Sequence, residues 1–421
     1  MMERGHRPVI GAIADDLTGA TDLALTLSHN GMRVLQTVGI PTEDTFASGA
    51  DAIVVSLKSR TIAAAEAVAQ SVAAGRALLA AGVQQLFFKY SSTFDSTDQG
   101  NIGPVIEALM SLTGETRTLV CPAFPRNSRT VYKGHLFVGD QLLSDSSMKN
   151  HPLTPMHDGN LVRVLGRQTN MPVSLIEITT VRKGAEALQA ELDDVQGVAV
   201  VDALDDADLM TIGAAARNLR LITGGSGVAM SLPANFGFAE RQATRGGTVP
   251  CGRAAVLAGS CSATTLRQIE MAKAAGMPGF RLDPLALAEG DTSPEDAIAF
   301  AAGTTDDDVP MFYSGAGVGA VRRAQEVLGR ERAGAIVEDA LGKIAAGLAD
   351  RGFDRLLVAG GETSGAVISH LKVTTLWVGP EIDPGVPWMQ TEHDGRPMAL
   401  ALKSGNFGAD DIFLAAWNHL K

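Results

Sequence analysis

The chain is 421 residues long, 45% hydrophobic and 19% charged, with a formal net charge of −12 at pH 7. Such a composition supports two or three globular domains. The negative balance argues against nucleic acid as the main partner, since a nucleic-acid face needs clustered cations. No apolar run approaches a membrane span, and residues 1–8 (MMERGHRP) are polar and basic, without the apolar stretch of an export signal. Three cysteines with no CxxC pair, Cys121, Cys251 and Cys261, fit a reducing cytoplasm rather than a disulfide framework.

The first element is an apolar run over 9–14, the pattern of a buried strand. Asp15, Asp16, Leu17, Thr18 and Gly19 follow, and from Ala20 the spacing of Leu23 and Leu27 is helical. In an open parallel sheet such a strand–turn–helix places the turn at the carboxyl edge, where ligands bind. Two adjacent carboxylates are costly there unless they meet a cation, hydroxyl donors or a proton. Locally, three readings stand: an Asp/Thr helix cap, an aspartyl phosphatase loop, and a ligand turn. The phosphatase loop needs Asp-x-Asp, and the adjacent aspartates fail that spacing.

Further strands are expected over 33–38, 52–56, 85–90 and 118–121, alternating with helices over 62–81 and 104–112. This alternation means a parallel α/β sheet. Arg60 follows the 52–56 strand. Lys89 ends the next, leading into Ser92, Thr93, Asp95, Ser96 and Thr97. Cations beside hydroxyls suit a small hydroxylated carboxylate, although a solvated Ser/Thr turn before a helix reads the same way. Residues 132–155 break the rhythm. They are polar and interrupted by proline, and are expected to form a long irregular loop over the carboxyl edge. His151, His157 and Asp158 lack helical ligand spacing, so no metal centre is read there.

Strands are expected again over 173–178, 198–201 and 219–224. Residues 233–252 carry Pro, Gly and Arg without periodicity. The domains are therefore expected at 1–235 and 253–421, joined by a linker over 236–252. The second half repeats strand–glycine turn–helix units at 259–262, 315–319, 360–365 and 405–408. Glycine lets a backbone approach an anion, and a helix N-terminus supplies N–H groups. Several such turns suggest a nucleotide. Residues 315–319 fit a dinucleotide fingerprint only in part, because the third glycine is at 319 rather than 320. No P-loop, HRD or DFG sequence occurs.

Taken together, IADDLTGATDLA, KYSSTFDSTDQGNIG, CPAFPRNSRTVYKGHLFV with SDSSMKNHPLTPM, VLAGSCSATT, VAGGETSGAV and LKSGNFG resemble the four-carbon acid sugar kinases, over nearly the whole chain. The resemblance implies two α/β domains with mainly parallel sheets, an acid-sugar domain and a nucleotide domain facing each other across a cleft. It implies ATP and Mg²⁺ as cofactors and transfer of phosphate to the C4 hydroxyl of a four-carbon acid. The length of the 90–94 stretch favours the 3-oxo-tetronate branch over threonate or erythronate. By motif, Asp15, Arg60, Lys89, Ser92, Thr93, Asp95, Ser96 and Thr97 are expected to bind the acid sugar, with Arg60 and Lys89 on its carboxylate. Asp16, with Asp15, is expected to be catalytic. Ser260, Gly360, Gly361, Glu362, Thr363, Gly405, Asn406 and Gly408 are expected at the nucleotide. Asp98-Gln99 departs from the Leu-Arg pair of many relatives, removing an arginine contact there. No metal ligand is assigned. Partners are the acid sugar and ATP, with no nucleic acid, no membrane and a homo-oligomer left open. Two other classes remain, a nucleotide-dependent oxidoreductase and a non-catalytic acid-sugar sensor.

Overall fold

The computed structural model describes residues 7–151, 153–239, 250–315 and 318–420, with the side chains of 318–322 and 330 excepted. The middle of the expected linker and residues 316–317 of the 315–319 turn lie outside the described residues. The chain divides into two compact units, residues 1–244 and 245–421. Among the described residues no helix is long and apolar enough to cross a membrane.

In the first unit the strands run in the order Val34–Val38, Ala52–Ser56, Ile10–Ala14, Gln85–Lys89, Leu221–Gly224, Arg117–Cys121, Gly197–Val201 and Val173–Ile176, all parallel. Ile10, Ala12, Ile13 and Ala14 are wholly buried, as are Ile53, Val54 and Val55 beside them. Each such branched side chain contributes roughly 1.5–3 kcal/mol, which explains why these strands read as unbroken apolar runs. From Ile10–Ala14 the chain turns to one side for two strands, then crosses to pair Gln85–Lys89 on the other side. The first strand therefore sits where the strand order reverses, and the crevice at its carboxyl end is the usual ligand position of such sheets.

Residues 129–142 overlap the irregular loop expected over 132–155 and correct its first part. They form a small antiparallel sheet of Arg129–Tyr132, His135–Val138 and Gln141–Leu142. Lys133 and Gly134 both adopt positive φ, 48° and 70°. A two-residue turn with both central residues left-handed matches the twist of the flanking strands.

In the second unit the order is Gly279–Arg281, Met311–Tyr313, Arg253–Ala258, Phe353–Ala359, Arg396–Lys403, Val386–His393 and Thr375–Asp383. The first five are parallel, and the last two are antiparallel hairpin strands. Val386–His393 is a full strand of eight residues. Gly385 and the pair Asp394–Gly395 take positive φ and close the hairpins. One face packs around Trp388, whose indole N–H donates to the Ala416 carbonyl at 3.1 Å, with Val256, Leu357 and Phe413. The order reverses between Arg253–Ala258 and Phe353–Ala359, so the turns after those strands share the ligand edge.

Candidate active site

Asp15 and Asp16 follow directly on the buried strand Ile10–Ala14. Asp16 caps the helix Leu17–His29: Oδ1 accepts the Gly19 N–H at 3.1 Å and Oδ2 accepts the Thr18 hydroxyl at 2.8 Å. The cap reading and the ligand-turn reading are thus compatible, because the cap uses only part of the carboxylate. Gly19 has no room for a side chain: a Cβ there would lie 2.3 Å from Asp16 Oδ1 and 3.1 Å from Lys89 Nζ.

Arg60 joins the pair. Its Nε donates to Asp15 Oδ2 at 2.9 Å, and Nη2 donates to Asp15 Oδ1 at 2.7 Å and Asp16 Oδ1 at 2.6 Å. The third nitrogen, Nη1, lies 3.8 Å from Asp95 Oδ2. Read from sequence as a ligand's carboxylate anchor, Arg60 thus commits Nε and Nη2 to the acids. A planar fork on a carboxylate fixes geometry as well as charge. Arg60 is held in turn by its backbone. The Arg60 and Ser59 N–H groups donate to the Asp15 carbonyl, and Asn101 Nδ2 donates to the Ser59 carbonyl at 2.6 Å and the Arg60 carbonyl at 3.2 Å. Asn101 stands at the start of the helix Ile102–Thr113 yet does not cap it with its side chain. Its role is spatial, so its residue type alone did not reveal it.

The two carboxyls differ electrostatically. Burial pushes Asp15 up from its ordinary value, with Arg60 opposing. Burial also works to raise Asp16, but Arg60, Lys89 and the Thr18 and Gly19 donors outweigh it and hold its carboxyl low. Burial works against the Arg60 charge, and Asp15 and Asp16 overcome it, so the guanidinium stays protonated. Lys89, buried at the end of its strand, donates to the Tyr90 carbonyl at 3.0 Å.

The following turn splits. Thr93 Oγ1 donates to Asp95 at 2.6 Å, on the Arg60 side. Phe94 takes φ 53° and is fully buried against Tyr90, ring centroids 5.5 Å apart. A left-handed aromatic residue is strained and must be held by its packing. Ser92 is half-buried. Ser96 and Thr97 turn away to Gln168, which donates to the Ser96 hydroxyl at 3.0 Å and to the Thr97 carbonyl. They line a separate polar cavity of about 860 Å³ with Met156, His157 and Asp158. The structure therefore gathers Asp15, Asp16, Arg60, Lys89, Thr93 and Asp95, with Ser96 and Thr97 on another wall.

In the second unit a cavity of about 440 Å³ is lined by Gly259, Ser260, Gly360, Gly361, Glu362, Thr363 and Gly405. Pro284, Ala324, Ala333 and Val337 supply an apolar side, and Asp283 and Glu338 supply carboxylates. Three of its glycines, Gly259, Gly360 and Gly405, cannot carry side chains without intruding. A Cβ on Gly259 would lie 2.2 Å from Thr363 Oγ1, and one on Gly405 2.3 Å from Ser260 Oγ. Gly360 has φ 127° and precedes the helix Gly361–His370. Asn406 is exposed and Gly408 half-buried, and neither is among the lining residues. Gln268 Nε2 holds that turn from below, donating to the carbonyls of Phe407, Gly408 and Ala409 at 2.9–3.1 Å. Gln268 and Lys403 carried no sequence expectation. The one available signal was an ionisable residue closing the apolar run MALALK.

Comparison with known proteins covers both halves of the chain. Residues 10–232 match the family described as a sugar-binding N-terminal domain, and residues 255–413 match a nucleotide-binding C-terminal domain. A 3-oxo-tetronate kinase of Pseudomonas fluorescens is 51% identical over 98% of this chain and 97% of its own length. A 3-oxo-tetronate kinase of Cupriavidus necator is 52% identical over 99% and 98%. Among solved structures, a Salmonella typhimurium LT2 protein, provisionally described as a tRNA synthase, superposes with a TM-score of 0.90. It is 41% identical and covers 98% of this chain and 99% of its own. With both halves matched and the likeness running end to end, the chain belongs to the four-carbon acid sugar kinase family, among the 3-oxo-tetronate kinases.

Proposed function

We propose that this protein transfers the γ-phosphoryl group of ATP to the C4 hydroxyl of 3-oxo-tetronate, giving 3-oxo-tetronate 4-phosphate and ADP. The carrying observation is the end-to-end likeness, at about half identity, to proteins named 3-oxo-tetronate kinase. The acid pair held by Arg60 at the switch point of the first unit's sheet adds the chemistry.

Phosphoryl transfer depends on positioning and charge neutralisation more than on covalent help. Asp16, the more exposed of the pair, orients the C4 hydroxyl and accepts its proton late in the transfer. Asp15, with both oxygens on Arg60, positions that guanidinium. Arg60 Nη1 and Lys89 are the cations nearest an incoming carboxylate, and Ser92, Thr93 and Asp95 meet the sugar hydroxyls. Ser96 and Thr97 shape the wall beyond them.

The 440 Å³ cavity supports the reading of an ATP site, with an apolar side for the base and glycine turns for ribose and phosphates. Ser260, Gly360, Gly361, Glu362, Thr363 and Gly405 make the contacts, with Asn406 and Gly408 completing the turn. Mg²⁺ supplies charge neutralisation on the phosphates when bound, and Asp283, Glu338 and Glu362 are cavity carboxylates of the kind a hard cation takes. Residues 236–252 join the sugar-binding domain, 1–235, to the nucleotide-binding domain, 253–421. Three cysteines outside any disulfide suit the cytoplasm.

The test is coupled ADP release over a panel of four-carbon acids: both 3-oxo-tetronate enantiomers, threonate and erythronate. Turnover fastest on a 3-oxo acid is expected. Turnover fastest on threonate or erythronate corrects the substrate, and none on any acid overturns the reading.

A second expectation concerns Gly360→Ala. The added Cβ would lie 2.8 Å from Thr363 Oγ1 and 3.3 Å from the Ser260 nitrogen, at a φ that side chains avoid. The substitution is expected to destabilise the protein by about 1–3 kcal/mol. It is also expected to raise KM for ATP while leaving KM for the acid sugar unchanged. Urea unfolding and steady-state kinetics check both.

A further inference from the structure

Lys403 closes the strand Arg396–Lys403 and is fully buried. Its ammonium donates to the Ser404 carbonyl at 3.1 Å, the Thr265 hydroxyl at 3.3 Å and the Gly405 carbonyl at 3.4 Å. These acceptors are neutral. No carboxylate forms a salt bridge with it among the described residues, and burial is the one cause acting on its titration. A buried unpaired cation is costly, and a methionine would fill the same space without that desolvation. Packing alone therefore does not account for a lysine here.

What surrounds the ammonium suggests what it serves. The Gly405 carbonyl accepts from the Ser262 hydroxyl at 2.6 Å and the Thr265 hydroxyl at 2.8 Å as well as from Lys403. Three donors converge on one carbonyl and draw it inward. The peptide plane is trans, so the Asn406 N–H points the opposite way, outward from that buried cluster. Gly405 itself lines the 440 Å³ cavity. The Lys403 backbone meanwhile accepts the Gly360 N–H at 2.9 Å, so the same residue also anchors the second glycine turn.

Resting on the reading of this cavity as a nucleotide site, we propose that Lys403 is its fixed positive charge. It holds the 404–408 turn in an anion-accepting shape and offsets the phosphate charge from beneath, without touching the nucleotide. It is a positioning residue. The groups packed on it, Ser262, Thr265, Ser404 and Gly405, are uncharged. The titratable groups of the cavity are Cys261, Asp283, Glu338 and Glu362. Burial lowers the Lys403 ammonium to about 8. A bound polyanion favours the charged form, so ATP affinity should fall as pH rises through and beyond that value.

The experiment is calorimetric ATP binding by the wild type and Lys403→Met at pH 7 and pH 9.5, with steady-state kinetics alongside. The expected result is a roughly tenfold or greater weakening of ATP binding in Lys403→Met at pH 7. KM for ATP should rise with it, KM for the acid sugar should hold, and the wild type's alkaline loss of affinity should disappear. An unchanged affinity and pH profile in Lys403→Met overturns the proposal alone. A wild-type affinity flat between pH 7 and 9.5 also overturns it, even if the variant does not fold. Absence of ATP binding by the wild type overturns the nucleotide reading and this proposal together.

Discussion

Asp16→Asn is expected to lower kcat by roughly 10²–10⁴-fold, the usual range for removing a proton-accepting side chain, with the protein still folded. The variant separates chemistry from structure because Asp16 does two things. It caps Leu17–His29 through Gly19 and Thr18, and it presents a carboxylate held low by Arg60 and Lys89. Asparagine caps a helix about as well as aspartate, so the unfolding midpoint should change little. It cannot accept a proton from the acceptor hydroxyl. Asp16→Ala should lose both activity and about 1 kcal/mol of stability. ADP release at saturating substrates, paired with thermal unfolding, is the measurement. Near-wild-type kcat in Asp16→Asn, with KM for the acid sugar unchanged, would remove Asp16 from the role.

Arg60→Met is expected to have the larger effect on stability. The guanidinium joins two carboxylates, and Asp15 is nearly inaccessible. Removing one partner of a buried pair leaves an uncompensated charge, a loss of about 3–5 kcal/mol. The pH dependence has a definite sign. Burial already raises Asp15, and without Arg60 nothing of comparable size opposes it. A carboxyl with a folded pKa above its unfolded value contributes stability at low pH that is lost as pH rises through the folded value. The deficit of Arg60→Met relative to wild type should therefore be largest near pH 7 and shrink as pH falls toward the ordinary carboxyl range. Urea midpoints at pH 7 and pH 5 read this directly. A deficit that stays constant, or grows, on acidification would mean that Asp15 is not the group left stranded.

Much of this architecture was legible because it is written locally. Ile10–Ala14, Ala52–Ser56 and Gly197–Val201 are nearly unbroken apolar runs ending in polar turns, since both faces of the sheet are covered. Asp15-Asp16 could be placed at a carboxyl edge from the strand before and the helix after it. The glycine turns at 259, 360 and 405 were visible for the same reason: a close backbone approach excludes side chains, and glycine is its sequence trace. The antiparallel pieces were harder. Residues 129–142 are short strands stabilised by partners brought alongside by the left-handed turn at Lys133–Gly134. Without a hydrophobic run, they read as loop.

By itself the sequence determined the class of fold, the position of Asp15-Asp16 at the end of a strand, and the glycine turns that follow strands in the second half. Each of these follows from residue types within a few positions of one another. Only the tertiary structure decided how those groups are spent. Arg60 lies 44 residues from Asp16, yet the parallel pairing of Ile10–Ala14 with Ala52–Ser56 puts both turns on one edge, where the guanidinium forks onto the acids. Asn101, another 41 residues on, fixes the Arg60 backbone. Ser96 and Thr97, next to Asp95 in the chain, face a different cavity, because the left-handed Phe94 buried against Tyr90 redirects the turn. The charge of Lys403 matters because the fold buries it beneath Gly405. Long-range register and burial set these relations, and no local pattern encodes either.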